Sequence, residues 1–137
     1  NYPPVRSWAQ ASCSYRIGRT PDRIEIECWF TSGAGGERSL EKRLTFTPDG
    51  SIAVAYAWDH SAGSRDDFFA SEISLFAPLE LRTQPAAEVW TFPIETTAKS
   101  ERGFDRTRQG DSVTLRWPVH LGRAAVVLDT KVPALVE

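Results

Sequence analysis

An all-β fold, an antiparallel β-sandwich or jelly roll of about eight or nine short strands, is predicted by three observations. Apolar and polar residues alternate with period two along most of the chain, and helical stripes are hard to find. Turn chemistry punctuates that alternation at Pro21-Asp22 and Pro48-Asp49-Gly50. Pro78, Pro85, Pro93 and Pro133 argue against helix in the second half. The composition, 41% hydrophobic against 25% charged over 137 residues, is that of one folded domain spanning 1–137.

The first hairpin pairs residues 9–17 with 24–31. Facing Gly18 with Arg23 puts Ala11, Cys13, Tyr15 and Ile17 on one face with Phe30, Cys28, Ile26 and Ile24. Ser12, Ser14 and Arg16 share the other face with Trp29, Glu27 and Glu25. A one-residue slip would turn each apolar side chain to the polar side, so the register is specified. It sets Cys13 directly opposite Cys28, within disulfide reach at roughly 4.5 Å between Cα atoms. A cross-strand disulfide would mean an extracytoplasmic, oxidising location. Two small buried thiols would mean a cytoplasmic one, and both readings stay open.

Residues 40–47 form a second hairpin with 51–58 through Pro48-Asp49-Gly50, with Thr47 facing Ser51, Leu44 facing Val54 and Leu40 facing Trp58. Its other face carries an alanine row, Ala53, Ala55 and Ala57, that either admits a close neighbour or is a thin solvent face. Further strands are expected at 68–77, 88–92, 112–121 and 123–129. Residues 95–111 break the pattern as a long polar, charged stretch, either a functional loop or an unrecognised hairpin.

Sixteen basic against eighteen acidic residues give a net charge of -2, which disfavours nucleic acid and anionic membrane surfaces as partners. No apolar run approaches the ~20 residues of a membrane-spanning helix. The chain contains no methionine and starts at Asn1, so a piece of a longer protein is expected. Two histidines and two cysteines lack zinc-site spacing. No cofactor is expected, although Asp59, Asp66 and Asp67 could supply oxygens to a structural calcium ion.

Catalytic constellations are weak. Glu72, Glu95, Glu101 and Asp105 have no spacing that makes two of them converge on a sugar. Asp59-His60 with Ser61 or Ser64 lacks a nucleophile elbow. The five tryptophans carry more information. Trp58, Trp90 and Trp117 are in phase with apolar neighbours and are expected in the core. Trp29 and Trp8 fall on the polar phase, Trp29 beside Glu27, where indoles would suit the apolar faces and hydroxyl rims of a sugar chain. A docking face for another domain explains them equally well. A second candidate surface is the 95–111 stretch. There Lys99, Arg102 and Arg106 can donate to hydroxyls, Glu95 can accept, and Phe104 can stack.

That stretch and its flanks also carry a family resemblance. Phe69-Ala70-Ser71-Glu72-Ile73-Ser74-Leu75, Trp90-Thr91-Phe92-Pro93-Ile94-Glu95-Thr96, Ser100-Glu101-Arg102-Gly103-Phe104-Asp105, Gln109-Gly110 and Trp117-Pro118 follow one another in a recognisable order. They resemble the C-terminal β-sandwich of glycoside hydrolase family 57 α-amylases and 4-α-glucanotransferases over about residues 66–121. The resemblance implies a galactose-mutarotase-like or related sandwich attached to an α-glucan-active enzyme. The catalytic carboxylates of that family sit in a separate barrel, so none carries over. The expectation is a non-catalytic module that binds starch-, glycogen- or maltooligosaccharide-type glucan beside a linked catalytic domain. The alternatives are a purely structural domain docked on that barrel and, with less support, a small stand-alone enzyme using Glu72.

Overall fold

A computed structural model describes residues 11–32, 37–60, 66–77, 79–101 and 103–129. Nine strands are present among them: β1 (Ser12–Thr20), β2 (Arg23–Ser32), β3 (Glu37–Phe46), β4 (Ser51–Trp58), β5 (Phe68–Leu75), β6 (Glu80–Gln84), β7 (Glu88–Ser100), β8 (Gly103–Pro118) and β9 (Arg123–Asp129). They form an antiparallel sandwich of a six-stranded sheet, ordered β1-β2-β3-β4-β9-β6, and a three-stranded sheet, ordered β5-β8-β7. Val119–Leu121, expected to end a strand, instead forms one 3-10 turn that closes on Gly122.

The core lies where the two sheets overlap. Alternation puts Val54, Tyr56 and Trp58 of β4 and Ala124, Val126 and Leu128 of β9 on the inner side of the larger sheet. Val113, Leu115 and Trp117 of β8 and Phe69 of β5 face them from the smaller sheet. Trp58 stacks on Phe69 with centroids 4.1 Å apart, and Tyr56 meets the same ring at 5.3 Å. Each buried indole N–H has an acceptor: Trp58 donates to the Val119 carbonyl (2.7 Å) and Trp117 to the Pro85 carbonyl (2.9 Å). The polar ends of these large rings are therefore not stranded in the interior.

The β3–β4 hairpin has the predicted register, Leu40 against Trp58 and Phe46 against Ile52. Its turn closes through Thr47 and Ser51, with Gly50 at φ 84°. Asp49 accepts from the Thr47 hydroxyl and the Ser51 amide, which holds its carboxyl below the usual value.

The β1–β2 register differs from expectation by two residues. Thr20 pairs with Arg23 across a two-residue turn, so Cys13 faces Phe30 and Tyr15 faces Cys28. The Thr20 hydroxyl ties to the Asp22 carboxylate at 2.6 Å and narrows the turn. A two-residue slip leaves each side chain on its face, so the apolar pattern could not tell the two registers apart. The cysteines share a face diagonally, where Cα atoms are roughly 7–8 Å apart and beyond ordinary disulfide reach. Both thiols are free. Burial, with Cys13 nearby, raises the Cys28 thiol above its usual value.

Of the two readings of 95–111, the hairpin is the one present: β7 and β8 continue as a two-stranded arm from Glu95–Arg108 to Ser100–Gly103. Pro93 lies inside β7, which tolerates it as an edge strand. A strand was also missed: β6 pairs with β9 at the other edge of the larger sheet.

Candidate functional site

The outer face of the six-stranded sheet is built from the side chains that β2, β3 and β4 turn away from the core. Register places Trp29, Glu41 and Ala57 in one row across these strands, and Glu27, Arg43 and Ala55 in the next, with Arg16 of β1 beside Glu27. The long side chains of β2 and β3 stand against the alanine row of β4. The step between them makes an open trough of about 460 Å³. Arg16, Glu27, Trp29, Glu41, Arg43, Ala55 and Ala57 line it. The alanine row in the sequence was the one advance sign of this depression.

Charge organises the trough. Glu27 is paired with Arg16 and, at 2.9 Å, with Arg43. The Arg16 hydrogen bond first, and the charges of Arg16 and Arg43 with it, hold the Glu27 carboxyl below the ordinary glutamate value. Trp29 is half-buried at the edge of this network. The surface therefore offers one indole, one doubly held carboxylate and two guanidinium groups around a shallow apolar floor. Such a set can stack on one face of a sugar and exchange hydrogen bonds with its hydroxyls.

Other predicted residues lie elsewhere. Trp8 and Arg102 fall outside the described residues. Glu95, Lys99, Phe104 and Arg106 sit on the arm of the three-stranded sheet, where Lys99 faces Phe104 and Arg106 reaches Glu95 at 3.8 Å. Phe104 is 76% exposed near the arm's tip. The arm and the trough belong to different sheets, so the sequence candidates divide into two surfaces. Asp59, Asp66 and Asp67 do not assemble: among the described residues no three of His, Cys, Asp and Glu could hold a metal ion. No helix among these residues is long and apolar enough to cross a membrane.

Trp90 is the clearest correction. Expected in the core with Phe92, it lies on the outer face of the three-stranded sheet, 42% exposed, with Phe92 at 55%. Phe92 and Trp90 share a face, as their spacing requires. That face is the outer one because Val89 and Thr91 align with the inward-facing Leu115 and Val113.

The chain is similar to known proteins over part of its length. Residues 66–127, which contain β5 to nearly the end of β9, match the family described as Alpha-amylase/4-alpha-glucanotransferase, C-terminal. An alpha-amylase of Pyrococcus horikoshii is 34% identical over 82 residues, covering 58% of this chain and 12% of that protein. A 4-alpha-glucanotransferase of Thermococcus litoralis is 27% identical over 120 residues, covering 69% of this chain and 18% of that protein. The crystal structure of 4-alpha-glucanotransferase from the same organism aligns with 83% of this chain and 22% of its own, at 22% identity and a TM-score of 0.49. The chain thus spans less than a quarter of the length of each of these relatives. Over residues 66–127, this chain is similar to the C-terminal domains of alpha-amylases and 4-alpha-glucanotransferases.

Proposed function

We propose that this chain is a non-catalytic accessory module that binds α-glucan and holds it near the catalytic part of an alpha-amylase or 4-alpha-glucanotransferase. The observation that carries the reading is the trough on the outer face of the larger sheet, with Trp29, Glu27 and Arg43 standing over the alanine floor. One sugar ring would stack on Trp29 while its hydroxyls donate to Glu27 and Glu41 and accept from Arg16 and Arg43. No bond is made or broken in this mechanism. Affinity comes from one apolar ring face and several charge-assisted hydrogen bonds.

Titration with maltoheptaose by calorimetry tests it. Trp29→Ala should weaken binding about tenfold, or about 1.4 kcal/mol, with the fold unchanged by circular dichroism. Equal affinity for wild type and Trp29→Ala would remove the trough from the mechanism.

A second reading, a structural domain docked on the catalytic part, is favoured by a different observation. Tyr15 and Ile17 sit on the inner face of the larger sheet yet are 68% and 60% exposed. Such an apolar overhang fits a protein neighbour. That reading expects no response to any glucan and binding to the separately expressed catalytic part.

A further inference from the structure

The outer face of the three-stranded sheet is a second surface with an organised polar framework. Register lays it out in rows: Glu88, Arg116 and Ala70; then Trp90, Thr114 and Glu72; then Phe92, Ser112 and Ser74. Phe68 adjoins the first row. The Arg116 guanidinium lies 4.0 Å from the Phe68 ring centroid and 4.3 Å from that of Trp90. The Trp90 indole N–H donates to Glu88 at 2.8 Å, and the same carboxylate meets Arg116 at 3.3 Å. Two partners, Glu88 and Arg116, thus hold the indole in place while 42% of the residue stays exposed. The Arg116 Nε is buried with no hydrogen-bond partner.

Across the sheet from Trp90, Thr114 and Glu72 are polar and accessible, and the Ser112 hydroxyl donates to Glu72 at 2.5 Å. Two strand spacings, roughly 9.6 Å, separate the columns of Trp90 and Glu72. Phe92, two residues along β7 and roughly 6.8 Å away, extends the aromatic column. A dry protein surface laid here would strip water from Glu72, Glu88 and Arg116 without replacing it. A sugar would supply hydroxyls that act as both donors and acceptors.

We propose that this face is a second α-glucan platform, on which one pyranose ring stacks on Trp90 and bonds through its hydroxyls to Thr114 and Glu72, with Phe92 taking the neighbouring unit. The proposal extends the reading of the chain as a glucan-binding module to a site with its own residues. All of these lie within the stretch shared with the amylase and glucanotransferase family, whereas Trp29 lies outside it. The trough and this platform are on opposite outer faces of the sandwich, so one long glucan or two separate chains could engage the module at both.

The test is an NMR titration of the 137-residue chain with maltoheptaose, following the indole N–H signals assigned through Trp29→Phe and Trp90→Phe. The Trp90 signal should shift and saturate. Trp90→Ala should abolish saturable shifts of the Ser112 and Thr114 amides while leaving the Trp29 response intact. Glu72→Gln should weaken the Trp90-linked binding at least about threefold, corresponding to one lost charge-assisted bond. Because Trp90 is 42% exposed and Glu72 is exposed, both variants should keep the wild-type fold by circular dichroism. A static Trp90 signal beside a moving Trp29 signal overturns the platform and leaves the trough standing. A moving Trp90 beside a static Trp29 supports the platform and removes the trough. Silence at both indoles overturns both.

Discussion

Trp117 is fully buried, with its indole N–H spent on the Pro85 carbonyl and its ring against Phe69. Truncation there leaves both a cavity and an unpaired carbonyl. Trp117→Ala should cost about 3–5 kcal/mol in urea unfolding, near the whole stability of a small domain. Glu27 makes a prediction of a different kind. Its carboxyl is held below the ordinary value by Arg16 and then Arg43, so its folded-state value lies under the unfolded one of about 4.3. A depressed acid contributes above that value and loses its contribution as pH falls through the folded value. Glucan affinity at the trough should therefore be flat while Glu27 is ionised and fall only at a pH under the ordinary glutamate value of about 4.3, while Glu27→Gln shows a weaker but flatter profile. The phases of Trp58 and Trp117 were legible in the sequence because both lie within long apolar alternations. Trp90 was not. Its alternation with Phe92 says that the two share a face, and nothing local says which face meets the other sheet.

Among the elements, the arm of β7 and β8 shows how a single residue sets a boundary. Gly110 has φ 151°, and a Cβ there would stand 2.3 Å from the Leu75 carbonyl oxygen. The ladder skips at this point, passing from Ile94–Gly110 to Glu95–Arg108. Beyond it the arm has only two strands, because β5 pairs with β8 no further than Asp111. A two-stranded ribbon is marginally stable by itself. Amide exchange should therefore be faster at residues 95–107 than at 112–117. Gly110→Ala should lower stability by about 1–3 kcal/mol, since both the backbone conformation and the close approach resist a side chain. The same comparison explains why the sequence left 95–111 open between a loop and a hairpin. Its side chains are polar on both faces, so the strand carries no apolar alternation to announce it. The first hairpin shows the complementary limit: faces came through the pattern, but the pairing of Cys13 and Cys28 depended on a turn two residues tighter than expected.

For the whole molecule, the mismatch between six strands and three governs what is left exposed. At roughly 4.8 Å per strand, five spacings span roughly 24 Å and two span roughly 10 Å, so the smaller sheet covers under half of the larger. Tyr15, Ile17 and Ile24 lie beyond the covered part, on the face that should be core. Ile17→Thr should therefore cost less than about 0.5 kcal/mol in this chain, while Leu115→Ala costs about 2–5 kcal/mol, both read from denaturant midpoints. The sandwich class, the second hairpin and the polar phase of Trp29 and Glu27 were determined by the sequence alone, because period-two alternation and turn chemistry are local properties. Only the tertiary structure decided that the cysteines are diagonal, that Trp90 and Phe92 look outward, and that the trough and arm are separate surfaces. The physical reason is the symmetry of a strand. Its pattern is unchanged by a two-residue slip and does not identify the layer that covers it, so register and coverage are settled by partners distant in the chain.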